Sequence, residues 1–284
     1  MRLLILGGSG MLGHQLWRGL HAQHDTWVTL RRPVADFAVH NLFDEAKAIQ
    51  FDDITDDTAL ERTLGQAKPE AVINCVGLIK QRDEASDEAL TLRVNAEFPH
   101  RLAKRCGEAG ARLIHFSTDC VFTGTKGNYT ETDPPDATDL YGQSKHQGEV
   151  ADAHCVTLRT SVIGHELGTH LALLDWFLSQ RGQAINGYTK AIYSGFTTLE
   201  MARIVDRILT QHTDLSGVWH VASQPISKFG LLQLCREKLG WEGVIEPNDE
   251  FVCDRSLNAD RFNQATGYTP PSWEAMISEL AQQS

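Results

Sequence analysis

The chain of 284 residues is 42% hydrophobic and 22% charged, the balance of an ordinary globular protein, and is long enough for one large α/β domain or a domain with a smaller lobe. Its net charge of -11 argues against a basic surface for nucleic acid or an anionic membrane. No apolar run approaches the roughly 20 residues that span a bilayer, and six scattered cysteines without a C-x-x-C pair predict reduced thiols in a cytoplasmic enzyme without a structural metal.

Residues 2–6 (RLLIL) read as a short buried strand, because glycines interrupt the run before the apolar core of a secretory leader could form. The turn Gly7-Gly8-Ser9-Gly10-Met11-Leu12-Gly13 follows, and Met11, Leu12, Leu16 and Leu20 recur at helical spacing. Gly-x-x-Gly-x-x-Gly between a strand and a helix suits a dinucleotide. Gly7 permits the tight turn, Gly10 lets backbone approach a pyrophosphate, and Gly13 allows close helix–strand packing. The helix N-terminus then offers N–H groups to the anion, with Ser9, Met11 and Leu12 on the same turn.

Residues 26–30 (TWVTL) form the second strand, which ends on Arg31-Arg32. Dinucleotide folds read the adenosine ribose at this tip, and arginine suits a 2′-phosphate. NADP(H) is therefore expected over NAD(H), with NAD(H) left open. Residues 33–47 connect, with a short helix near 43–47. Residues 48–51 form a third strand leading to Asp53 and Ile54. These two could meet the adenine, or the aspartates and Thr55 could simply cap the next helix, over 57–66.

Residues 71–75 (AVINC) are the fourth strand, leaving through Asn74-Cys75-Val76-Gly77, where small side chains let a cofactor ribose lie against backbone. A long helix is predicted over 84–109 with Asn95 in its middle. Asparagine is a poor helix former, so the position calls for either a buried polar role or a solvent-facing side chain. The fifth strand, 111–116 (ARLIHF), delivers Ser117-Thr118-Asp119-Cys120 to a loop of turn residues.

Tyr141 and Lys145 stand four apart and so project from one face of a helix. A free phenol titrates near 10, and a neighbouring ammonium would bring Tyr141 toward proton transfer at neutral pH. A sixth strand, 155–158, ends in Arg159-Thr160-Ser161. Alternation over 1–160 predicts a Rossmann-type, doubly wound parallel sheet.

Beyond residue 164 the pattern loosens. Helices are expected over 171–180, 198–210 and, behind Ser227 as N-cap, up to residue 239. Strand pieces fall at 184–187, 191–194 and 217–221, and a tail over 251–273 carries Arg255 and Arg261. Residues 1–164 are read as the dinucleotide-binding domain. Residues 165–284 are read as a smaller α/β substrate lobe, part of which returns to the sheet. Arg255 is the candidate for a nucleotide diphosphate, since a guanidinium fork matches phosphate geometry. For Trp176 and Tyr193, core packing is the expectation.

Gly7/Gly10/Gly13, Asn74-Cys75-Val76-Gly77, Ser117-Thr118-Asp119 and Tyr141-x-x-x-Lys145 fall in the order and spacing of the extended short-chain dehydrogenase/reductase family. The chain resembles that family over nearly its whole length. Residues 117–149 are similar to the matching segment of dTDP-4-dehydrorhamnose reductases. Leu158-Arg159-Thr160-Ser161, Gly217-Val218-Trp219-His220-Val221, and Thr266-Gly267-Tyr268 with Pro270-Pro271 resemble them too.

The resemblance implies a homodimer that reduces a nucleotide-activated 4-keto-6-deoxy sugar with NAD(P)H. Tyr141 would donate a proton as the nicotinamide delivers hydride. Lys145 would lower its pKa and hold the ribose, and Thr118 would hydrogen-bond the reacting oxygen. Ser117 would sit near the nicotinamide, with Asp119 and Cys120 toward the sugar.

Three features depart from that subfamily: Cys120 replaces its usual Tyr, residues 183–198 lack its Asp-Gln and Pro-Thr pattern, and Asn258 replaces a Ser or Asp. The sugar therefore stays open. An NAD-recycling epimerase or dehydratase is one alternative; a non-catalytic NADP-binding regulatory subunit, like that of methionine adenosyltransferase, is another.

Overall fold

Strands covered on both faces appear in sequence as unbroken apolar runs, and this chain supplies several. The computed structural model describes residues 1–283. In chain order its first half comprises β1 (Arg2–Leu6), α1 (Met11–Leu20), β2 (Asp25–Leu30), β3 (Ala48–Gln50), α2 (Asp57–Ala67), β4 (Ala71–Asn74), α3 (Glu88–Leu92), α4 (Phe98–Glu108), β5 (Arg112–Thr118), α5 (Leu140–Gln147) and β6 (Cys155–Thr160). The rest comprises β7 (Val162–Ile163), α6 (Leu173–Ser179), β8 (Ala184–Tyr188), β9 (Ala191–Tyr193), β10 (Phe196–Thr197), α7 (Thr198–Gln211), β11 (Gly217–His220), β12 (Ile226–Ser227), α8 (Lys228–Lys238), β13 (Val244–Asn248), β14 (Cys253–Asp254), α9 (Asp260–Thr266) and α10 (Trp273–Ala281).

Seven strands form one parallel sheet in the order β11-β6-β5-β4-β1-β2-β3. This is the doubly wound Rossmann-type architecture. The winding reverses between β1 and β4, and open α/β sheets bind ligands outside the strand carboxyl ends at such a point. Leu60 and Leu64 of α2 and Phe98 and Leu102 of α4 belong to one apolar core, with Leu4, Leu6 and Val72 of the sheet. The larger core joins Leu16 and Leu20 of α1 to Met201, Val205 and Ile208 of α7, and runs on into α8 and α10. After residue 164 the chain thus returns to the sheet: α7 packs beside α1, and β11 pairs with β6.

Three elements differ from the pattern expected of the sequence. The span 84–109 is broken: a 3-10 turn precedes α3, and a π-helical turn, Arg93–Glu97, joins α3 to α4. Asn95 lies in the π-helical turn, four residues before Pro99, which has no N–H for the Asn95 carbonyl. The Asn95 side chain is fully buried, accepts from the Leu78 backbone N–H at 2.9 Å, and donates to the Leu78 carbonyl at 3.0 Å and to Ser144 Oγ at 3.2 Å. The helix widens where it holds the loop after β4 against α5.

The strand pieces β8 and β9 do not pair with each other, because β8 lies along β13 whereas β9 lies between β12 and β14. Finally, the expected tail over 251–273 contains the helix α9, and α10 begins at its end. In α10, Trp273, Met276, Ile277 and Leu280 recur at helical spacing behind the N-cap Ser272. Trp176 is 37% exposed and forms no part of the core, whereas Tyr193 is buried in it. All six cysteines are unbridged. Among the described residues no helix is long and apolar enough to cross a membrane.

Candidate active site

The glycine turn folds as its spacing demands. Gly7 adopts φ +81, and a Cβ at Gly13 would lie 2.2 Å from the Gly7 carbonyl oxygen. Only glycine at both positions lets α1 start this close to the end of β1. Gly10 is the N-cap of α1 and brings no side-chain cap, so the first N–H groups of the helix have no acceptor from the cap side chain.

Two adjoining cavities leave this turn. The first, about 500 Å³, is lined by Ser9, Gly10, Met11, Arg31 and Arg32, with Phe37 and Asp52. Arg32 lies over the Phe37 ring at 5.0 Å and 3.7 Å from Asp36. Neither Asp53 nor Ile54 lines this cavity. Asp53 is turned back to accept from the Thr55 N–H at 2.8 Å and the Thr55 hydroxyl at 2.7 Å, and the Ile54 carbonyl accepts from Arg101 at 2.6 Å. Both serve the approach to α2, and Asp52, one residue earlier, is the acid on the cavity wall.

The second cavity, about 460 Å³, runs from Gly10, Met11 and Leu12 past Cys75, Val76 and Gly77 to Ser117, Thr118 and Asp119, and reaches Cys120, Tyr141, Lys145 and Arg255. Ser117 and Thr118 are the last residues of β5, two places further along the strand than the apolar run indicates. Asp139 starts α5 by accepting from the Gly142 N–H at 2.9 Å. A Cβ at Gly142 would meet the Cys120 carbonyl oxygen at 2.2 Å, so glycine lets α5 lie directly on the chain leaving β5. That contact brings Tyr141 to Thr118.

The electrostatics of the pair differ from the simple expectation. Lys145 is 5% exposed, and its ammonium donates to the Phe116 carbonyl at 2.6 Å. Burial pushes it down to about 8, against the pull of the Glu149 carboxylate. The Tyr141 phenol is raised rather than lowered: burial dominates, Cys120, Asp119 and Asp139 add to it, and a hydrogen bond with Thr118 opposes it. In this geometry Tyr141 is therefore protonated at neutral pH. Burial also raises Asp119, whose carboxylate accepts from the Thr118 hydroxyl at 3.2 Å.

Behind the pair lies an ion pair that sequence reasoning missed. Arg159 binds Glu149 twice, Nε to Oε1 and Nη2 to Oε2, each at 2.7 Å, with both side chains about 5% exposed. Ser117 Oγ donates to the same Oε1 at 2.7 Å, and His220 lies 3.3 Å from Arg159 Nη1. Burial would raise Glu149, but the bonds and charge of Arg159 hold it below the usual carboxylate range. Both residues stand inside stretches singled out for family resemblance, yet nothing local shows that they meet.

Arg255 does reach the cleft. Its Nε donates to the Phe122 carbonyl at 2.8 Å, and Nη1 lies 3.7 Å from Cys120 Sγ. Lys80 and Lys228 line the same cleft without any motif to announce them. Asn258 instead caps a turn by accepting from the Asp260 N–H at 2.9 Å. Among the described residues no group of three or more His, Cys, Asp or Glu could hold a metal. The open glycine turn, the basic strand tip and the continuous cleft together fit an extended dinucleotide.

The model of the family described as "RmlD substrate binding domain" matches residues 1–284. The chain belongs to the RmlD substrate-binding-domain family. One curated relative, the dTDP-4-dehydrorhamnose reductase of Streptomyces griseus, is 33% identical over 151 residues, 53% of this chain and 44% of the relative. The matched segments span less than half the length of the first such relatives. The dTDP-4-dehydrorhamnose reductase of Aggregatibacter actinomycetemcomitans is 26% identical over 305 residues and aligns over 98% of both chains. The fold of this RmlD-family chain is also that of a solved dTDP-4-dehydrorhamnose reductase from Bacillus anthracis in complex with NADP. The TM-score is 0.80 at 20% identity, covering 100% of this chain and 98% of that one.

Proposed function

We propose that the protein is an NAD(P)H-dependent reductase of a nucleotide-activated 4-keto-6-deoxy sugar, with NADP(H) preferred. The observation that carries this reading is the meeting of Thr118, Tyr141 and Lys145 in the cleft that begins at the glycine turn. Relatives named dTDP-4-dehydrorhamnose reductase, and a structural neighbour that binds NADP, support it.

In this reading Gly7, Gly10 and Gly13 with the N-terminus of α1 receive the pyrophosphate, and Arg31 and Arg32 the 2′-phosphate. Cys75, Val76 and Gly77 form the wall for a ribose. The bound nicotinamide supplies hydride to the carbonyl carbon of the sugar. Tyr141 gives its proton to the carbonyl oxygen, which becomes a hydroxyl, and the phenolate left behind is stabilised by the charge of Lys145. Thr118 orients the oxygen by a hydrogen bond. Residues 165–284, apart from α7 and β11, would serve as the lobe that closes on substrate.

Purified protein mixed with NADPH and a dTDP-4-keto-6-deoxyhexose should oxidise the cofactor in proportion to the sugar reduced. Tyr141→Phe should abolish turnover while NADPH still binds. Undiminished turnover in that variant would sink the mechanism, and NAD that copurifies and is recycled without net consumption would favour an epimerase instead.

A further inference from the structure

Lys80 lies on the loop after β4, two residues beyond Leu78, whose backbone is tied to Asn95. Buried hydrogen bonds thus anchor the loop two residues before Lys80. The ammonium lies 2.9 Å from Asp139 Oδ2 and 5.5 Å from the centre of the Tyr141 ring. Asp139 uses its other oxygen to cap α5, so the same carboxylate fixes both the tyrosine's helix and the lysine. An ammonium carries three donors, and the Asp139 bond takes one.

Arg255 approaches from the C-terminal lobe. Phe122 and Cys120 hold two of its nitrogens, and a guanidinium has five donors. Lys80 and Arg255 line one cleft, Lys80 held at the Asp139 carboxylate that starts α5 and Arg255 at Cys120 and Phe122 on the chain leaving β5. Two cations, one from each half of the molecule, thus line the cleft that Tyr141 also lines. The glycine turn and the basic strand tip, which suit a dinucleotide's phosphates, lie at the other end of the cleft.

We infer that Lys80 is a specificity-determining residue that, opposite Arg255, binds the diphosphate of the nucleotide-sugar substrate and thereby bridges the two halves across Tyr141. The inference rests on the reductase reading for the word substrate, but the anion site itself does not depend on turnover. A sugar diphosphate seated here would present its ring to Tyr141 and Thr118. An uncharged sugar would leave both cations without a partner from the ligand.

The test uses the full chain with saturating NADPH. Calorimetric titration with dTDP and with UDP is run on the native protein, Lys80→Gln and Lys80→Arg, and KM and kcat are measured with the keto-sugar. Lys80→Gln should weaken nucleoside diphosphate binding roughly tenfold or more and raise KM in step, the scale of a lost charged hydrogen bond. Lys80→Arg should recover most of the loss, and NADPH affinity should hold.

If Lys80→Gln binds dTDP and UDP as the native chain does, or the native chain binds neither, the clamp is overturned. A fall in kcat at constant KM would also overturn it, by placing Lys80 on Tyr141 instead. Binding that depends on Lys80 in a chain that reduces no keto-sugar would keep the clamp and sink the reductase reading alone.

Discussion

The ammonium of Lys145 donates to the carbonyl oxygen of Phe116 at 2.6 Å, within the packed seam between α5 and β5. The lysine is thus held by backbone of the same strand that ends in Ser117 and Thr118, and its charge survives burial only in part. Because burial lowers its pKa from 10.5 to about 8, the ammonium is lost as pH rises through about 8. Activity should therefore fall on a basic limb near that value, read from a pH–rate profile. For stability the sign is the reverse. Between about 8 and 10.5 the unfolded chain holds a proton that the native lysine has shed, so this group's contribution rises with pH. A rate profile that stays flat well past that region would remove Lys145 from the chemistry.

The Glu149–Arg159 pair should behave as a buried unit. Glu149→Gln leaves Arg159 uncompensated, and breaking such a pair costs about 3–5 kcal/mol, measurable by urea unfolding. Because Glu149 supports the charge of Lys145, the same variant should move the basic limb to lower pH. A change in stability with an unmoved limb would confine Glu149 to the fold.

Two glycine substitutions should separate a close approach from mere helix propensity. At Gly13 a Cβ meets the Gly7 carbonyl oxygen at 2.2 Å, so Gly13→Ala must push α1 off the turn. NADPH affinity should drop by about tenfold or more, on the scale of one lost close contact to an anion. At Gly65, in α2, a Cβ meets nothing within 4 Å. Gly65→Ala should stabilise the protein by about 0.5–1 kcal/mol and leave cofactor binding alone. Fluorescence titration and thermal unfolding check both.

The basic tip of β2 should set cofactor choice. Arg31→Ala with Arg32→Ala should raise the KM for NADPH about tenfold and leave that for NADH nearly unchanged, since a guanidinium favours the 2′-phosphate and does little for a hydroxyl. Equal loss with the two cofactors would make these arginines general supports of the cavity.

Several of these features could be read directly from the sequence because the signal is local. The apolar run at 2–6 and the glycines at 7, 10 and 13 specify strand, turn and helix within a dozen positions. Tyr141 and Lys145 share a helical face whatever surrounds them. Asn95 shows the limit. Its poor helix propensity marked it as unusual, but Leu78 and Ser144 as its partners depend on packing between distant segments. For Asp53 and Ile54 two roles stay open in the sequence for a related reason: a one-residue shift in a turn decides which acid faces the cavity.

By itself, then, the sequence determined the alternation of strands and helices from β1 to β6, the glycine turn before α1 and the shared helical face of Tyr141 and Lys145, because periodicity and turn chemistry act between near neighbours. Only the tertiary structure decided that β8 lies along β13, that Arg159 meets Glu149 behind Ser117, and that Lys80 and Arg255 line one cleft. A buried face reports that an element is covered but not what covers it, so contacts between remote segments appear only when the layers are packed.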